Sequence, residues 1–146
     1  MQIEVNNVKI TLTKEQLEEI SKQTKKNKSI TERIQNFNDV LNELQIAEFR
    51  LPYNNPKTKE ERAINATTKL FKIVEAYNEG TIVDWKNTNG YKWIPYKYSS
   101  GGGVIVAFSF WSSHYFYSGG LYFKSKELSE DAYNKFKDIY EDFWMI

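Results

Sequence analysis

The segment DWKNTNGYKWIPYKYSSGGGVIVAFSFWSSHYFYSGGLYF, residues 84–123, decides how the chain is read, because it holds more than half of all its aromatic residues. Within it, Val104, Val106, Phe108 and Phe110 alternate with Ile105, Ala107, Ser109 and Trp111. One face is wholly apolar and the other mixed, the period of a half-buried strand rich in β-branched and aromatic side chains. This is the expected central strand. Before it, Tyr91 to Tyr98 reads as a second strand, opened by the Asn89-Gly90 turn and marked as an edge or a bulge by Pro95, which has no N–H to donate. After it, Ser112-Ser113-His114 and Gly119-Gly120 set off two short pieces, Tyr115 to Tyr117 and Leu121 to Phe123. The sum is an antiparallel meander of three to four strands.

Such a sheet needs a cover, and the flanking sequence offers helices. Thr58 with Glu61 forms a capping box. The helix it opens carries an apolar face of Ala63, Ala66 or Thr67, Leu70, Ile73, Val74 and Tyr77, and Gly80 is expected at C′. At the other end, Ser125 or Ser129 caps a last helix whose stripe is Leu128, Ala132, Phe136, Ile139, Tyr140 and Phe143. These two helices are the expected cover of the aromatic sheet.

Upstream, Ile3-Val5 and Val8-Ile10-Leu12 flank Asn6-Asn7, which reads as an N-terminal β-hairpin. Thr13 and Gln16 then cap a short helix with Leu17 and Ile20 as its apolar face, and the lysine-rich run Lys22 to Lys28 reads as a solvated linker. Ser29 and Glu32 cap a third helix. Its residues Ile30, Ile34, Phe37, Val40, Leu41 and Leu44 form one amphipathic stripe. The expected architecture is therefore α+β in a single domain over 1–146. It comprises a hairpin plus helical part (1–46), a loop (47–57) with Pro52, Asn54, Asn55 and Pro56, and a helix–meander–helix core (58–146).

With 146 residues, 40% of them apolar, the chain is large enough to bury a core without staples. It has no cysteine, which removes disulfides and thiolate chemistry and fits a reducing cytoplasm. A formal net charge of +1 argues against electrostatic binding to nucleic acid, which scales with the phosphates neutralised. The first residues lack the pattern of a signal peptide, and the apolar runs fall short of the roughly 18 residues a membrane span needs.

Catalytic chemistry finds little to work with. His114, the one histidine, lies on a turn in Ser112-Ser113-His114, so a base-assisted nucleophile is not expected. One histidine without cysteine excludes the common zinc sites, and no metal or cofactor is expected. Gly101-Gly102-Gly103 leads into a strand, whereas a phosphate loop leads into a helix, so it reads as a hairpin loop. What packing leaves over is rings: Trp85, Tyr91, Trp93, Tyr96, Tyr98, Trp111, Tyr115 and Tyr117 supply both faces of the strands. Such a surplus is either covered, by the fold or by a second subunit, or displayed as a binding platform. The expected partner-binding set is Asp84, Trp85, Tyr91, Trp93, Trp111, His114, Tyr115 and Tyr117. Trp85 and Trp93 lie nearest the functional surface on this reading, one in a connection and the other beside the proline that marks an edge.

The pattern Ala76-Tyr77-Asn78-Glu79-Gly80, Asp84-Trp85, Lys92-Trp93-x-Pro95, the glycines, an aromatic strand ending in Trp111, and Phe123-Lys124-Ser125-Lys126-Glu127-Leu128 resembles a family of small uncharacterised proteins carried by phages and prophages of gut bacteria. The likeness covers mainly Thr58 to Phe143. Tyr122 stands where family members tend to have cysteine. The resemblance implies a phage-encoded accessory protein in the host cytoplasm and implies no reaction. The expected function is thus non-enzymatic binding of a host protein or a small-molecule ligand. A homo-oligomer with the aromatic face as subunit interface is the alternative, and a carboxylate-metal hydrolase using Asp84 or a nucleic-acid binder ranks behind both.

Overall fold

The computed structural model describes residues 2–5, 8–26, 28–81, 92–100, 103–111 and 120–144. In chain order these form β1 (Gln2–Val5), β2 (Val8–Thr11), α1 (Lys14–Lys26), α2 (Ile30–Arg33), α3 (Phe37–Glu43), α4 (Lys59–Tyr77), β3 (Lys92–Ser100), β4 (Gly103–Trp111), α5 (Lys126–Lys135) and α6 (Lys137–Phe143). Helices dominate, and the strands form two separate antiparallel ribbons, β1 with β2 and β3 with β4. This overturns the expected α+β sheet core: the described residues contain no meander of three to four strands. Leu121–Phe123 is not a strand, and it meets β3 only at the Trp93–Phe123 bridge. The expected strand at Tyr115 to Tyr117 lies outside the described residues, as do the turns at Asn6-Asn7 and Asn89-Gly90. Alternation fixes the strand period of a segment but not how many partners it finds, because pairing is non-local.

The core is helical. Its buried residues come from α2 and the turn after it (Ile30, Ile34), α3 (Val40), α4 (Leu70, Ile73, Tyr77), the 121–123 segment, and the last two helices (Ala132, Phe136, Ile139). The helix α4 lies against α3 and α6, while α5 lies beside the β3–β4 ribbon. So α4 does not cover a sheet as expected. Its face is buried as the period requires, Ala66 rather than Thr67 taking the inner position.

Local chemistry explains the element boundaries. The capping box at Thr58 and Glu61 starts α4, with the Glu61 amide donating to Thr58 Oγ1 at 3.2 Å and the Thr58 amide donating to Glu61 Oε2 at 3.2 Å. Ser29 and Glu32 do the same for α2. The stripe from Ile30 to Leu44 is not one helix, however. Ile34 is extended, with φ −100° and ψ 115°, and Asn36 starts α3 through a second capping box with Asp39. Both short helices keep the stripe buried, since Ile34 and Val40 are each 0% exposed. The expected lysine linker is also corrected: α1 continues through it to Lys26, consistent with the good helix propensity of lysine. Ser125, not Ser129, caps α5, and the expected last helix breaks at Phe136 into α5 and α6.

The end of α4 ties the molecule together. Asn78, 3% exposed, donates from Nδ2 to the Tyr122 carbonyl at 2.7 Å and accepts from the Lys124 amide at 3.0 Å. Its side chain thus holds the 121–124 segment as a strand neighbour would. Glu79, rather than the expected Gly80, occupies C′: its amide donates to the Ala76 carbonyl, and the Gly80 amide donates to the Glu75 carbonyl. Glu79 adopts φ +53°, a left-handed conformation that costs an L-residue on the order of 1–2 kcal/mol. Its carboxylate ion-pairs with Lys124 at 2.8 Å and Arg33 at 3.0 Å, which hold its pKa below the usual carboxylate range. A lowered folded pKa means that this stabilisation is present above the unfolded-state pKa and is lost as pH falls through the folded value.

A second tie runs through Tyr77, which is fully buried and whose hydroxyl donates to Asp131 Oδ2 at 2.8 Å. Burial first, and then Asp131, push its pKa up, so it stays a neutral donor. Lys135 completes the set by donating both to Asp131 and to the Thr31 carbonyl, joining α2, α4 and α5.

The left-handed Glu79 yields a comparison of two variants. Glu79→Gly should be more stable than Glu79→Ala by about 1 kcal/mol in urea unfolding, because both lose the ion pairs and only glycine is relieved of the backbone cost. Equal stabilities would show that the backbone at 79 is not strained.

Candidate functional site

The β3–β4 ribbon runs in register from Lys92 opposite Trp111 to Ser100 opposite Gly103. Pro95 sits opposite Phe108 within it, not at a bulge. Side chains alternate between its faces, so Trp93, Pro95 and Lys97 share one and Ile94, Tyr96 and Tyr98 share the other.

The first face looks at the helices. Trp93 is half-buried against the core, and its amide and carbonyl both bond to Phe123, at 3.0 and 2.8 Å. Phe123 in turn meets Tyr77 edge to face with ring centroids 5.9 Å apart. Farther along, Lys97 Nζ pairs with Glu141 of α6 at 2.7 Å and lies 5.7 Å from the centroid of the Trp144 ring. The ribbon is therefore anchored at its Trp93 end by backbone bonds and farther along by the ion pair and cation–π contact of Lys97.

The second face displays rings. Tyr96 and Tyr98 stack with centroids 5.4 Å apart and planes 23° from parallel. Tyr98 is 41% exposed, one of the large hydrophobic side chains that the described residues leave to solvent. Ala107 lies opposite Tyr96 and shares its face, and Tyr96 itself is half-buried. A pair of phenols on a rigid two-stranded support can stack on a flat group and donate hydrogen bonds at its rim.

Of the residues expected to bind a partner, Trp93 is placed as an anchor, and Trp111 lies in β4 opposite Lys92. Asp84, Trp85, Tyr91, His114, Tyr115 and Tyr117 lie outside the described residues. The stacked pair Tyr96–Tyr98 was absent from that expected set, although both tyrosines belong to the ring surplus. The signal was available in their spacing of two, which puts them side by side on one face.

Among the described residues no three His, Cys, Asp or Glu side chains come together to hold a metal ion. Among the same residues no helix is long and apolar enough to cross a membrane. No protein-family model, curated protein sequence or solved structure matches the chain.

The two anchors of the ribbon differ in weight on mutation. Trp93→Ala should cost about 2–3 kcal/mol, less than a fully buried ring because Trp93 is half-buried. Lys97→Met should cost about 1 kcal/mol or less, as befits a partly exposed ion pair. Chemical denaturation of both variants checks this, and a Trp93→Ala protein as stable as the parent would remove Trp93 from the core.

Proposed function

We propose that this chain is a small non-enzymatic binding protein that engages a host protein or a small-molecule ligand through the Tyr96–Tyr98 face of its β3–β4 ribbon. The observation that carries the reading is the stacked tyrosine pair on the face of β3 opposite that of Trp93, with Tyr98 41% exposed and Tyr96 half-buried. A ribbon whose other face is tied to the core has no packing need for two stacked phenols on its outer face. Tyrosine is also the residue recognition surfaces favour, offering large area at low conformational cost. The resemblance to phage-borne accessory proteins supports the same direction and adds the host cytoplasm as the place of action. Trp111 on β4 and Asp84, Trp85, Tyr91, His114, Tyr115 and Tyr117 remain proposed contributors to this surface.

Self-association through the same face is the second reading, favoured by the same exposed Tyr98 ring, since a two-fold copy could cover it. Affinity capture from bacterial host lysate, with mass spectrometry of retained proteins and small molecules, tests the proposal. The paired variant Tyr96→Ala/Tyr98→Ala should release the retained partner while unfolding within about 1 kcal/mol of the parent, as surface substitutions do. Retention unchanged by the variant would refute the proposal, and recovery of the chain alone would favour self-association.

A further inference from the structure

A second surface, remote in the chain from the ribbon, has the features of a ligand cleft. It lies between α3, the loop that follows it and α4. Its floor is apolar, made by Phe37, Leu41, Phe49 and Leu51, and its rim carries Arg50 and Lys69. Two asparagine amides complete the lining, and no carboxylate belongs to it.

The cleft is built rather than incidental. Its loop wall is pinned by Asn65 of α4, 6% exposed, which accepts from the Tyr53 amide at 3.1 Å and donates to the Tyr53 carbonyl at 2.8 Å. Its floor is fixed by the contact of Phe37 with Phe49, their centroids 5.2 Å apart. Over the Phe37 ring sits Lys69 Nζ, 5.6 Å from the centroid, so the ammonium is held at the mouth of an apolar floor.

Charge decides what would fit. Lys69 forms no ion pair with the described residues, and Arg50 has only Glu48 at 3.5 Å, both side chains being more than 80% exposed. Two other clefts differ on this point. Each is lined by Arg33 together with Glu43, the carboxylate that neutralises it at 3.3 Å. The cleft at Phe37 therefore combines an apolar floor with the charge of Lys69, which no carboxylate among the described residues pairs, and of Arg50, which only the exposed Glu48 meets. From this complementarity we infer that it binds a small apolar carboxylate, an aromatic acid whose ring packs against the apolar floor beside Phe49 and whose carboxylate meets Lys69 and Arg50. Such sites hold a ligand by burying its apolar body and orienting it with a few charged groups. A carboxylate met by an ammonium and a guanidinium gains charge-assisted hydrogen bonds that a neutral analogue lacks.

Naphthalene-2-carboxylate, with naphthalene-2-methanol as its neutral counterpart, tests the inference on the full chain by amide NMR titration. The acid should bind saturably, at roughly sub-millimolar Kd for a ligand of its size, with shifts at 37–41, 49–51 and 69. It should bind about tenfold tighter than the alcohol and weaken as salt rises. Lys69→Met keeps the aliphatic stem and should remove about that tenfold advantage while leaving the alcohol unaffected. Arg50→Gln, on a fully solvated side chain, supplies a variant that cannot disturb the fold and should weaken the acid alone. Equal affinity for acid and alcohol, shifts confined to the ribbon, or an acid affinity unchanged in both variants would overturn the inference. Binding of an acidic apolar peptide without binding of the free acid would overturn it in favour of a protein partner.

Discussion

The buried amide of Asn78 is the interaction on which the arrangement depends. Placed at the C-terminal cap of α4, it meets both the carbonyl of Tyr122 and the amide of Lys124. Those two backbone groups belong to an extended segment with no strand neighbour on that side among the described strands. Left unpaired and buried, each would cost on the order of 1–3 kcal/mol. An amide side chain can serve both at once, donating from nitrogen and accepting at oxygen. The cap position is therefore a joint between a helix end and an extended segment.

From that joint the consequences run outward in two directions. Toward the ribbon, Phe123 exchanges two backbone bonds with Trp93, so fixing residues 121–124 also fixes one end of β3. Toward the helices, Glu79 draws Lys124 and Arg33 together, and Arg33 reaches Glu43 of α3. The tyrosine pair and the apolar cleft are held by different parts of this frame, one through β3 and the other through α3 and α4. A two-stranded ribbon is marginal in isolation. Here it inherits order from its helical anchors, which is what allows one of its faces to carry rings that the core does not use.

Much of the helical frame was legible in the chain because capping and periodicity are local. Thr13 with Gln16, Ser29 with Glu32 and Thr58 with Glu61 announce their helices, and each box is formed. The stripes from Ala63 to Tyr77 and from Leu128 to Tyr140 are buried as read. The break at Asn36 was hidden because its capping box lies inside an unbroken apolar period, so the signal for a stop competed with a stronger one for continuation. Glu79 was missed for a different reason: glycine is the default left-handed residue, and only the positions of Arg33 and Lys124 in space offset the cost of a glutamate there. The expected meander does not form, because ring density along a segment sets neither the number of strands nor their partners, and β3 and β4 pair with each other alone among the described strands. Tyr77, Phe123, Phe136, Tyr133, Tyr140 and Trp144 instead cluster ring against ring among the helices and the segment before α5. Of the candidate site, the surplus of rings was legible but not which rings would be displayed, since that depends on which face of β3 the helices occupy.

Native-state hydrogen exchange at the amides of Trp93, Phe123 and Lys124 tests the central role of the joint most directly. If Asn78 ties the 121–124 segment and β3 to the helical core, these three amides should exchange only through an opening nearly as costly as global unfolding, alongside the interior of α4. Exchange of all three at the rate of solvent-exposed loops, with α4 still protected, would contradict the account.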